Sequence, residues 1–127
     1  MKTSEKNTLQ TAIIFWFFAI CYMGIIFYFS SLKGTALPEL PQGFDKIIHA
    51  GIYAVLAFLI FLSLNASGDR KYVFLLSIVI ATIYGVTDEF HQLYVPGRET
   101  SIGDIIADFI GAFSGSYLAR VASLRRP

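Results

Sequence analysis

Four long apolar runs, set apart by short polar or proline-containing segments, constrain this chain more than any other feature. The first covers residues 9–29, and a helix of that length, at ~1.5 Å rise per residue, spans the ~30 Å hydrocarbon core of a bilayer. Similar runs cover residues 46–64, 72–94 and 101–118. A backbone surrounded by lipid has to satisfy its own hydrogen bonds, so runs of this kind fold as helices. Their solvent is lipid rather than water: 55% of the residues are hydrophobic, only 15% are charged and the mean hydropathy is +0.61, too apolar to cover a soluble domain of this size. The expected fold is an all-α integral membrane bundle of four transmembrane helices, a single domain over residues 1–127 and a multi-pass protein of the cell membrane.

The connecting segments support this division. Gly34, Pro38, Pro41 and Gly43 follow the first run, and proline both fixes φ and removes a backbone donor. Residues 65–71 make a short polar turn suited to an antiparallel helix pair. Pro96-Gly97-Arg98 stops the third run. Met1 to Lys6 has the charge of a signal-peptide front, but the apolar stretch behind it exceeds the ~7–15 residues of a cleaved signal. It reads as a retained first helix.

Charge orients the bundle. Four crossings place both termini and the 65–71 turn on one side, with Lys2, Lys6, Arg70, Lys71, Arg120, Arg125 and Arg126; Lys33, Lys46 and Arg98 fall on the other. The excess of basic residues marks the cytoplasmic face, so both termini are expected there. Acidic residues lean the opposite way, with Glu5 and Asp69 inside and Glu39, Asp45, Asp88, Glu89, Glu99, Asp104 and Asp108 outside. A net charge of +1, without a basic cluster, excludes nucleic acid as a partner. Cys21 is the single cysteine, so the chain forms no internal disulfide and no thiol-based metal site.

Helical spacing brings the ionisable residues to one depth. Asp45, His49 and Tyr53 recur every four residues at the start of the second helix, and Tyr84, Asp88 and Gln92 do so at the end of the third. Glu89 lies on an adjacent line, while Asp104, Asp108, Gly111 and Gly115 form one stripe on the fourth helix. Carboxylates are costly against lipid, so these faces should turn toward a common outward-facing pocket. Their expected partners are Lys46, His49 and Arg98. Asp88, Glu89, Asp104 and Asp108 outnumber those cations, which calls for a proton, a bound cation or a ligand.

Structural readings stand beside the functional ones. Asp45, placed before the second helix, and Asp104, in the first turn of the fourth, can act as caps at the positive end of a helix dipole. Tyr53, Tyr84 and Tyr94 fit an interfacial aromatic belt, and His49 can bond an interfacial group. Gly111 and Gly115 form a small-xxx-small pair that lets helices approach closely, within one chain or between two chains of a homodimer.

The order Asp45-Lys46-x-x-His49-x-x-x-Tyr53, Tyr84-Gly85-x-x-Asp88-Glu89-x-x-Gln92, Pro96-Gly97-Arg98 and Asp104-x-x-x-Asp108-x-x-Gly111 resembles the VanZ-like membrane protein family, over about residues 45–115. The resemblance implies a small multi-helix membrane protein, and the family's founding type is linked to resistance to the glycopeptide teicoplanin. The family pattern usually has asparagine where this chain has Asp108, an exchange that adds a negative charge to the pocket.

Location and resemblance together lead to one expected function. An outward-facing pocket of Asp45, Lys46, His49, Tyr53, Tyr84, Asp88, Glu89, Gln92, Arg98, Asp104 and Asp108 would bind an amphiphile, either a lipid-linked cell-wall precursor or the antibiotic, with Lys46 and Arg98 positioning phosphate or carboxylate groups. The competing class is an intramembrane enzyme acting on a lipid phosphate or ester, with His49, Asp88, Glu89 and Asp104 as candidate acid/base groups. The same residues with Asp108 are candidate ligands for a divalent cation. No H-E-x-x-H, G-x-S-x-G or phosphate-loop motif is present, and spacing alone does not separate these classes. A structural module of the membrane is the third.

Overall fold

The computed structural model describes residues 2–68 and 71–125; Asp69, Arg70 and Arg126, used above to orient the chain, lie outside them. Four helices follow in order: α1 (Lys2–Ser30), α2 (Phe44–Ala66), α3 (Val73–Gln92) and α4 (Ile102–Leu124), with a short 3-10 turn at Gly34–Ala36. Each helix is long and apolar enough to cross a membrane, and no strand occurs among the described residues. The architecture is an all-helical membrane bundle.

Helix ends depart from the apolar runs. α1 starts at Lys2 rather than near residue 9, because Thr8 and Thr11 bond back to the carbonyls of Ser4 and Asn7 and the polar residues continue the same ladder. α4 continues past residue 118 to Leu124. There the Arg120 guanidinium sits 5.4 Å from the Phe74 ring centroid and anchors the last turns to α3. Asp45 falls inside the first turn of α2, not before it, since Gly43 with φ of 82° takes the N-cap position.

α2 lies at the centre, packed against α4, α1 and α3, and its contact with α4 is the most extensive. Gly111 and Gly115 explain that closeness: a Cβ at either would overlap the backbone carbonyl of Ala50 or Ala54. Both glycines therefore serve contact within the chain. The core gathers Tyr53, Leu56, Ala57 and Ile60 of α2 with Ile78 and Ala81 of α3 and Ala112 of α4. A buried hydrogen bond of 2.8 Å between the Ser77 and Ser116 hydroxyls ties α3 to α4. α1 joins through Ala12, Ala19 and Ile26, which are buried at seven-residue intervals, while Phe17 and its neighbours face lipid.

The helices alternate in direction. The start of α2, the end of α3 and the start of α4 share one end of the bundle, where Lys46 meets Asp104. The loops before α2 and after α3 are joined at that end: the Gly34 N–H donates to the Pro96 carbonyl at 3.0 Å, and a Cβ at Gly34 would overlap the Gly97 carbonyl.

Candidate functional site

Ser101 starts the site by starting α4. Its hydroxyl accepts from the Asp104 N–H at 3.1 Å, which makes Ser101, not Asp104, the N-cap. The Asp104 carboxylate is thereby left to face α2. Lys46 Nζ reaches Asp104 Oδ1 at 2.6 Å, Asp45 Oδ2 at 2.7 Å and the Ser101 hydroxyl at 3.1 Å. The two carboxylates differ in setting: the Asp104 side chain is 6% exposed and that of Asp45 47%.

One turn deeper, His49 Nδ1 hydrogen-bonds Asp108 Oδ1 at 2.9 Å. Gly85 of α3 gives Asp108 its room, because a Cβ there would lie 2.6 Å from Asp108 Oδ2. His49 Nε2 lies 4.0 Å from Glu89 Oε1, too far for a hydrogen bond. Glu89 Oε2 accepts the Ser101 N–H at 3.3 Å, and Asp88 Oδ2 accepts from Gln92 Nε2 at 3.2 Å. The Tyr53 ring runs nearly parallel to that of His49 with centroids 6.5 Å apart. Its position is in the core, 1% exposed, rather than in an interfacial belt.

Asp88, Glu89, Gln92, Asp104 and Asp108 are all buried. Buried polar groups ordinarily find partners. Here Asp88 Oδ1, Glu89 Oε1, Asp108 Oδ2 and the Tyr53 hydroxyl have none among the described residues. The ion pairs of the cluster draw on Lys46 and, when protonated, His49. Carboxylates therefore outnumber cations here, and one atom from each of His49, Glu89 and Asp108 lies within 4.8 Å of the others. Such a group can hold a cation, or can orient an imidazole for proton transfer.

Two residues expected at the site are engaged elsewhere. Arg98 Nη1 donates to the Phe29 carbonyl at 3.4 Å, near the end of α1, where a cation complements the helix dipole. The Tyr84 hydroxyl donates to the Met23 carbonyl at 2.7 Å and ties α3 to α1, although its ring stays 6.4 Å from that of Tyr53. Ser101 was not singled out by helical spacing; its place before Asp104 in the S-x-x-D pattern of an N-cap was the available signal. Gly85 appeared in the sequence pattern without a role. An open groove of about 1180 Å³ lies at the opposite end of the bundle, lined by Asn7, Phe58, Asn65, Lys71 and Arg120 among others.

No curated protein and no solved structure matches the chain. Residues 15–123, a span that reaches into all four helices, match the VanZ/LLP1 family, and the chain belongs to that family.

Proposed function

We propose that the polar end of this multi-pass membrane protein faces outward and binds the head group of an amphiphile, a lipid-linked cell-wall precursor or a glycopeptide. One observation carries the reading: buried carboxylate oxygens of Asp88, Glu89 and Asp108 lack protein partners. A scaffold gains nothing from such atoms, since each retains the desolvation cost of an unmade bond, roughly 1–3 kcal/mol. A ligand that supplies the bond gives them a purpose. Lys46 is already bound to Asp45 and Asp104, and Arg98 to the Phe29 carbonyl. The group engaged is therefore a hydrogen-bond donor such as a hydroxyl or amide, a cation, or an anion bridged by a cation. The basic residues at the other end support an outward orientation, and a link to teicoplanin-type resistance would arise from competition for, or masking of, a wall precursor.

The test uses cells with matched expression of wild type, Glu89→Ala and Asp88→Ala, together with binding of the lipid-linked precursor to purified protein in nanodiscs. Loss of binding and a shift in glycopeptide susceptibility in both variants are expected; unchanged behaviour in both would contradict the proposal.

A second reading is favoured by the His49–Asp108 hydrogen bond of 2.9 Å, which fixes the imidazole with Nε2 turned toward Glu89. That arrangement suits a base activating water against a lipid phosphate or ester. Release of phosphate or of a fatty acid by wild type, absent in His49→Ala, would establish it, and no turnover on either substrate class would remove it.

A further inference from the structure

The groove at the basic end of the bundle is built as a gradient. Along α1 its lining passes from Asn7 through Thr11 to Phe15, and along α2 from Asn65 through Leu62 to Phe58. Both helices therefore turn from polar to apolar on the way from the end of the bundle toward its middle. The groove exists because α1 packs on α2 and slightly on α3 but, among the described residues, makes no contact with α4. That leaves a furrow over α2, between the first turns of α1 and the last turns of α4. Its volume of about 1180 Å³ exceeds the roughly 300–1,000 Å³ of ordinary small-molecule pockets. A polar rim over an apolar floor suits an amphiphile, which presents a head group to one and a hydrocarbon chain to the other.

Charge selects the amphiphile. Lys71 and Arg120 are both exposed and line the groove, and no aspartate or glutamate does so among the described residues. Glu5 lines a separate, smaller groove with Leu9 and Ser67. Arg120 makes no ion pair among the described residues. Its guanidinium rests 5.4 Å from the Phe74 ring centroid, a contact that positions the planar fork and leaves its N–H groups to a phosphate, which accepts them in pairs. We propose that this groove holds an anionic phospholipid of the adjoining leaflet, with the phosphate on Arg120 and Lys71 and an acyl chain laid over Phe15 and Phe58. Basic pockets between membrane helices recognise head groups of this kind. The site lies at the opposite end from the carboxylate cluster and does not depend on what binds there.

Trp16 is the single tryptophan and reports on the groove. It follows Phe15, and its indole N–H donates to the Ser67 hydroxyl at 3.2 Å, beside the lining residue Ala66. The full chain is reconstituted in phosphatidylcholine vesicles that carry a minor fraction of chain-brominated phosphatidylglycerol, or the same fraction of brominated phosphatidylcholine, and Trp16 fluorescence is read. Stronger quenching by the anionic lipid, saturating at low mole fraction, is expected. Arg120→Gln and Lys71→Gln should each weaken that preference about fivefold, equivalent to the ~1 kcal/mol that one basic residue contributes at an anionic surface. Lys6→Gln removes the same charge at the same end but from outside the groove lining, and should keep the preference. Equal quenching by the two lipids in wild type overturns the site. A preference retained in both Arg120→Gln and Lys71→Gln also overturns it, as does one lost equally in Lys6→Gln, which would mark diffuse attraction to a charged surface. Should Arg120→Gln fail to fold, the wild-type comparison and Lys71→Gln decide.

Discussion

At one end of the bundle Asp88, Glu89, Asp104 and Asp108 are buried together, and at the other Lys71 and Arg120 line an open groove with Asn7, Phe58 and Asn65. The groove end leaves Lys71 and Arg120 exposed at its rim. The polar end takes carboxylates out of solvent without supplying each oxygen with a partner. Close backbone contact makes this possible. Gly111 and Gly115 bring α4 onto the carbonyls of Ala50 and Ala54, and Gly85 opens space for Asp108. Burial of charge at one end is thus helped by small residues along the α2–α4 and α3–α4 seams.

The largest expected effect comes from breaking that seam. Gly115→Leu drives a side chain into the Ala54 carbonyl and should cost about 3 kcal/mol, read as a lowered melting temperature of the purified protein. A variant that melts like wild type would show that the helices do not meet there. Lys46→Ala should come next, at about 1–3 kcal/mol, because it strips the buried Asp104 of its cation. Arg120→Ala at the groove end removes the contact with Phe74 and should cost about 0.5–1 kcal/mol. Asp45→Ala is expected to be smallest, within about 0.5 kcal/mol, although Asp45 binds the same lysine as Asp104. Its side chain is 47% exposed against 6%, so solvent replaces much of what the pair provides. An Asp45 variant as damaging as the Lys46 variant would erase the distinction between the rim and the interior of the site.

The sequence made the helices and the polar stripes visible because both follow from local periodicity. Of the recurrence Asp45, His49 and Tyr53, His49 meets the Asp104-to-Gly115 stripe through Asp108, while Lys46 reaches Asp104 and Gly111 and Gly115 rest on Ala50 and Ala54. What spacing could not supply was the choice of partner across loops. Arg98 was expected among the carboxylates, yet it reaches the Phe29 carbonyl, because Gly34 and Gly97 lock the two loops together and aim it at the end of α1. Tyr84 shares a helical face with Asp88, and still its hydroxyl is taken by Met23 of α1. Ser101, the first residue of the fourth run and outside the acidic stripes, caps α4 and holds both Lys46 and Glu89. The ends of α1 and α4 also escaped hydropathy, since polar residues extend a helix as well as apolar ones do once it is nucleated.

Ligand site and scaffold give opposite expectations for one substitution. Glu89→Gln keeps an oxygen for the Ser101 N–H and offers an amide donor toward His49 Nε2 in place of the unpartnered oxygen. Thermal unfolding of the purified, ligand-free protein is then the direct measurement. A site arranged for a ligand rather than for stability predicts that Glu89→Gln melts at or above wild type, by up to about 1–3 kcal/mol, while losing precursor binding. A variant that melts well below wild type would contradict this and make the acidic cluster part of the framework.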